Sequence, residues 1–182
     1  MILGERIRLR AIEKEDLPLF VGWLNDPEVR HGLSLYLPLS HAEEELWFEG
    51  LLKRAPEERA LMIEIDDQGA WLPVGNIGLF GIDWRVRSAE VGIVIGDKSH
   101  WNQGYGTETM RLALKHGFET LNLNRIFLRV YEENPRAIHA YEKAGYVYEG
   151  CMRQAHYKYG TYSDVHFMSV LREEWPPEID KT

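Results

Sequence analysis

The chain has 182 residues, 45% hydrophobic and 27% charged, with 21 Lys and Arg against 29 Asp and Glu for a formal net charge of −8. That composition suits one soluble globular domain with a sizeable core, and the acidic balance argues against a nucleic-acid binder, which would need basic patches to neutralise phosphates. The only cysteine, Cys151, excludes an internal disulfide, no apolar run reaches the roughly 18 to 20 residues of a membrane span, and the seven histidines show no metal-ligand spacing.

In chain order, Met1-Ile-Leu-Gly-Glu-Arg6 lacks the apolar stretch of a signal peptide, so a cytoplasmic protein is expected. Arg6-Ile-Arg-Leu-Arg10 alternates as a half-exposed strand, and Glu15 to Asn25 reads as a first helix carrying Leu17, Phe20, Val21 and Leu24. Asn25 to Pro38 reads as irregular. Ser40-His-Ala-Glu43 is a capping box opening a second helix to about Arg54. Ala60 to Asp66 and Trp71 to Gly81 form a hairpin across Asp67-Gln-Gly69, and Asp83 to Arg87 link it to a strand starting near Ser88.

That strand contains Glu90-Val-Gly-Ile-Val-Ile95, rich in β-branched residues, and the segment Trp101-Asn-Gln-Gly-Tyr-Gly-Thr-Glu108 follows it. Two glycines one apart here lead into a helix whose stripe is Met110, Leu114, Phe118 and Leu121. Such a loop bares backbone N–H groups at a helix start and favours an anion. The segment has neither the Gly-Lys-Ser/Thr ending of a nucleotide P-loop nor the third glycine of a dinucleotide fingerprint.

Arg125 to Tyr131 gives the next strand. Asn134 then caps a helix over 135–144, with Pro135 at its first position and Gly145 suited to the left-handed residue beyond its end. Ala137, Ala140, Tyr141 and Ala144 share one face, small enough to admit a bulky neighbour. Tyr146 to Tyr159 and Thr161 to Leu171 read as closing strands, and Glu173 to Thr182 as a frayed polar tail.

Three segments, Ala89-Glu-Val-Gly-Ile93, Trp101 to Glu108 and Asn134 to Tyr146, make the chain resemble the GNAT superfamily of acetyl-CoA-dependent N-acyltransferases. Within it the chain is similar to the branch of ribosomal-protein N-terminal and bacterial spermidine acetyltransferases. The superfamily loop is usually written Gln/Arg-x-x-Gly-x-Gly/Ala, and Trp101 departs from it at the first position. The resemblance implies an α/β (α+β) fold over 1–182: a mixed, mostly antiparallel sheet flanked by helices and splayed between its fourth and fifth strands. It implies acetyl-CoA as co-substrate, no metal, direct transfer to a primary amine, either a protein N-terminal α-amine or a small polyamine-like amine, and a homodimer as one assembly.

Residue by residue, Gln103, Gly104, Tyr105, Gly106 and Thr107 are expected to cradle the pyrophosphate through their N–H groups. Val94 and Ile95 are expected to pair with the pantetheine arm like an added strand, with Asn134 and Ala137 beside it. An alkylamine has a pKa near 10.4 and must lose a proton before it attacks a thioester; Glu90, an acid in an apolar strand, is the expected base, directly or through water. Tyr141 is the expected acid toward the departing thiolate. Glu28, His31 and Tyr36 are candidates for the acceptor wall, each also explicable as structural or solvated. Cys151 beside Gly150 reads as a small packing residue. The alternative from another class is a non-catalytic acyl-CoA-binding protein; the presence of both Glu90 and Tyr141 argues against it.

Overall fold

The computed structural model describes residues 1–175. Alternating apolar residues build one eight-stranded sheet in the order β1-β2-β3-β4-β5-β6-β8-β7. The strands are β1 (Ile2–Leu3), β2 (Ile7–Ala11), β3 (Leu61–Asp67), β4 (Ala70–Asp83), β5 (Ser88–Ile95), β6 (Arg125–Tyr131), β7 (Val147–Lys158) and β8 (Thr161–Leu171). All neighbours are antiparallel except β5 and β6. The β3–β4 hairpin turns at Gln68 and Gly69, whose φ values of 54° and 90° match the twist of the strands they join.

The β5–β6 pair is the feature that positions a site. Its parallel register runs only from Ser88↔Arg125 to Glu90↔Phe127, after which the strands separate. If the two-residue β1 is left uncounted, this is the expected splay between the fourth and fifth strands.

Among the described residues five α-helices flank the sheet: α1 (Leu17–Asn25), α2 (Pro27–His31), α3 (His41–Lys53), α4 (Tyr105–Lys115) and α5 (Pro135–Ala144). The Ser40 capping box forms as expected, with Glu43 N–H donating to Ser40 Oγ (3.2 Å) and Ser40 N–H to Glu43 Oε2 (2.9 Å). The stretch after Asn25 is less irregular than the sequence suggests. Asp26 Oδ1 accepts from Glu28 N–H at 2.9 Å and Pro27 fixes the first turn, so α2 forms inside it. The first helix starts two residues late, because Lys14–Asp16 forms a 3₁₀ turn with Asp16 ion-paired to Arg10.

The main core lies between the sheet and α4, where Ile7, Ile63, Met110, Leu114, Phe118 and Ile126 are fully buried. Each such side chain contributes about 1.5–3 kcal/mol relative to exposure. A smaller cluster on the opposite side gathers Phe20, Leu51 and Met62 under α1 and α3. Past Lys115 the α4 stripe continues through a π turn, His116–Thr120, which keeps Phe118 in the core. The expected tail is anchored at its start, where Trp175 packs 6.0 Å from the Phe118 ring; residues 176–182 lie outside those described.

Candidate active site

The loop before α4 is shaped by its neighbours. Gly104 is the N-cap at φ 86°, a left-handed conformation glycine adopts without strain, and no side chain caps the helix. The first helical donor inside the chain is Glu108 N–H, to Gly104 O at 3.0 Å, so the amides before it are left for a ligand. Arg6 pins the loop from β2. Its Nη1 donates to Gln103 O (3.2 Å), its Nε to Glu108 Oε2 (2.9 Å), and its guanidinium lies 4.8 Å from the Tyr105 ring.

Trp101 does structural work at this loop. Its indole N–H donates to Ile95 O at 2.7 Å, tying the loop to the end of β5, and Arg136 stacks 3.4 Å over its ring. Thr107 Oγ1 donates to Ala140 O (3.3 Å) and Arg111 to Lys143 O (2.6 Å), so α4 and α5 approach one another at the same place.

The sheet alternation shows which main-chain groups face the gap. Gly96 N–H donates to Val74 O at 2.8 Å, so Val94, two residues earlier and opposite Asn76, also turns its N–H and C=O to β4. Those of Val91, Ile93 and Ile95 turn to the splay. Val94 lines the cleft, yet its main chain is committed to β4; Ile93, which sequence reading passed over, has its N–H and C=O turned to the gap.

A cleft of about 1180 Å³ runs through this gap, lined by the loop, β5, α5 and the ends of β6 and β7. Ala137, Ala140 and Tyr141 of α5 form one wall, and Asn134 stands at its end. Asn134 Oδ1 accepts from Ala137 N–H (3.2 Å), which leaves its amide nitrogen for another partner, so capping and ligand contact use different atoms.

Glu90 and Tyr141 both line this cleft. The Glu90 carboxylate is held bidentately by Arg129, at 2.7 Å from Nε and 3.1 Å from Nη2. That pair sits at the last register before the strands part, with Arg129 raised above its ordinary value mainly by the Glu90 hydrogen bond. Burial pushes the Tyr141 phenol up to about 12, with Arg136 opposing weakly, so it stays protonated at neutral pH.

The family model of the acetyltransferase (GNAT) domain matches residues 6–147. The chain belongs to the GNAT acetyltransferases. Spermidine N(1)-acetyltransferase of Vibrio cholerae is 31% identical over 177 residues, covering 95% of this chain and 97% of that protein. The putative ribosomal N-acetyltransferase YdaF of Bacillus subtilis is 25% identical over 181 residues, 97% of each chain. The crystal structure of the Vibrio cholerae spermidine enzyme in complex with CoA and spermine superposes with a TM-score of 0.84 at 29% identity, over 93% of this chain and 98% of that one. This GNAT protein is accordingly an acetyl-CoA-dependent amine acyltransferase.

The residues present suit that co-substrate: a free amide cradle at a helix start takes a pyrophosphate, and the open main chain of β5 takes an extended amide arm. Among the described residues no cluster of metal-ligand side chains is gathered.

The acceptor candidates separate. Tyr36 lines the cleft. Glu28 is drawn away, its carboxylate 2.6 Å from Lys98 Nζ in the segment after β5, where Asp26 also reaches that ammonium at 2.8 Å. His31 stacks on Tyr159, ring centroids 6.3 Å apart, away from the lining. Cys151 is corrected: it is exposed on β7, its thiol 3.6 Å from Asp164 Oδ2, because the face of β7 that carries it has no layer packed over it. Sequence reading also missed Arg129 and His156. Arg129 was hidden because the parallel register that pairs it with Glu90 spans 39 residues.

Proposed function

We propose that the chain acetylates a primary amine by direct attack in this cleft, with Glu90 and Tyr141 handling the two protons. The observation that carries this is their placement on one cleft with the amide cradle of Gly104–Thr107. The amine lone pair forms a bond to the thioester carbonyl carbon, the carbon–sulfur bond breaks, and the proton released from nitrogen passes to Glu90. Arg129 takes one lone pair on each Glu90 oxygen, which fixes the carboxylate and leaves a lone pair on each for the amine itself or for a water. Tyr141 donates to the departing sulfur. A phenol near 12 facing a thiol near 8.5 would transfer its proton uphill, but the same desolvation also raises the thiol, which narrows that gap.

The acceptor is a primary amine, either a small polyamine-like amine or a protein N-terminal α-amine. On the lining, Glu90 is paired with Arg129, and Glu58 accepts from Ile82 N–H at 2.8 Å. Glu58 keeps its charge and its second oxygen, which leaves it open to a further cation of a polyamine. Arg136 and Lys143 on the α5 side suit coenzyme phosphates.

The direct test is thiol release from acetyl-CoA with a panel of an alkylamine, a polyamine and an alanyl peptide. Amine-dependent release is expected, and the ranking of the three acceptors identifies the acceptor class. Tight acetyl-CoA binding with no amine-dependent release would restore the non-catalytic reading. A cytoplasmic setting agrees with the reducing context of a lone cysteine, and the exposed Tyr148, Tyr157 and Tyr162 of the β7–β8 hairpin support pairing of two copies.

A further inference from the structure

His156 is a buried imidazole that the reaction described above does not use. It is 4% exposed, and its Nε2 is buried with no hydrogen-bond partner, while Nδ1 lies 3.2 Å from Ser163 Oγ. An unsatisfied buried polar atom costs roughly 1–3 kcal/mol, so a native fold keeps few of them without a reason. Here the residue lines the cleft.

The backbone is bent to put it there. Met152 faces Val165 and His156 faces Ser163, so four steps along β7 (156 − 152) match two along β8 (165 − 163). Gln154 within this bulge takes φ 51°, and its N–H is held by Asp164 Oδ1 at 2.8 Å. Bulges of this kind re-aim a side chain. The ring is then fixed by stacking on Tyr131, the last residue of β6, with centroids 3.7 Å apart and planes within 13°. Tyr36 closes the same corner at 6.5 Å.

The charges around the ring argue against a cation at Nε2. Lys158 is buried beside it, its ammonium held by the carbonyls of Arg30 and Leu33. Glu133 is the acid that faces it, and His31 the other imidazole. Burial holds His156 below its ordinary value, with Lys158 and His31 adding to that and Glu133 opposing, so the ring is neutral at pH 7.

We propose that His156 is a specificity-determining residue whose Nε2 hydrogen-bonds an uncharged polar group of the acceptor, such as a peptide or amide group carried beside the reacting amine. This rests on the reading of the cleft as an amine acceptor site. An acceptor with such a group satisfies the orphaned nitrogen; a plain alkylamine leaves it orphaned.

The test compares alaninamide with n-propylamine as acceptors for the parent and for His156→Phe, which retains an aromatic ring on Tyr131 and removes the nitrogens. The ratio of kcat/KM for alaninamide over propylamine should fall about tenfold, through KM rather than kcat. A residue that only packs would lower both acceptors alike, and an unchanged ratio overturns the proposal. Should His156→Phe fail to fold, His156→Gln, read the same way, should keep a preference nearer the parent's than His156→Ala; equal ratios in the two overturn it. Independently of turnover, the Nε2 resonance in a ¹⁵N-histidine spectrum of the parent should move on adding alaninamide and stay put with propylamine. No turnover with either amine in any form would count against the acyltransfer reading, whereas the spectrum still decides the His156 contact.

Discussion

The carboxylate of Glu90 meets the guanidinium of Arg129 through two hydrogen bonds where β5 and β6 begin to part. The Glu90 side chain is 15% exposed and that of Arg129 51%, so the pair is open to water on the arginine side. A carboxylate so held is fixed in orientation at the cleft, and each oxygen keeps a lone pair for an amine proton or a water.

Glu90→Gln should therefore lower kcat/KM and remove the acid limb of its pH profile, with less basic amines suffering least because more of each is already neutral. Arg129→Gln gives the complementary result. Removing the cation frees the carboxylate to leave its place at the splay, so kcat/KM should fall while the acid limb persists. Profiles of kcat/KM against pH for parent and both variants decide this; a limb that survives Glu90→Gln would make Glu90 structural.

Coenzyme binding is best probed at Gly106 rather than Gly104. A side chain at Gly104 would be strained at φ 86° and would meet Arg6 Nη2 at 3.3 Å, so lost binding there would mix two causes. At Gly106 an added Cβ finds only Ile95 Cγ1, at 4.0 Å. Gly106→Val should keep the parent's melting temperature yet weaken acetyl-CoA by about tenfold or more in calorimetry, because the bulk occupies the cradle. Parental affinity in a folded variant would remove this loop from the coenzyme site.

Legibility in the sequence followed the range of the interactions. The α5 bounds were readable because Asn134, Pro135 and Gly145 act within a turn of themselves, and the β3–β4 hairpin because its turn chemistry is local. The short α2 was missed because five residues give no periodicity, and the π turn after Lys115 because Phe118 and Leu121 continue the same stripe. Glu28 left the expected acceptor wall for Lys98, 70 residues away. His156 depends on a bulge whose register only the paired strand defines. The glycines expected to cradle the coenzyme sit in one short segment, whereas the acceptor candidates come from separate elements.

Stability should respond to a buried acid on α3. Glu44 is 4% exposed, and burial pushes its carboxyl up to about 7 from an ordinary value near 4.5. A raised folded value means the group's contribution is fully present below the unfolded value and is lost as pH rises through about 7. Ionising it in place at pH 8 then costs up to about 3 kcal/mol. Glu44→Gln should raise the melting temperature more at pH 8 than at pH 5. An equal effect at both would mean the carboxyl is solvated.

Tyr141→Phe, followed by single-turnover thiol release with enzyme in excess over acetyl-CoA, tests the proposed chemistry most directly. Removing one hydroxyl should slow release about 100-fold, leave acetyl-CoA affinity near the parent's, and leave the shape of the pH profile unchanged between about pH 6 and 9, because the phenol stays protonated throughout that range. A single-turnover rate within a few-fold of the parent, with the fold and coenzyme affinity intact, would contradict the account and return Tyr141 to the wall of the cleft.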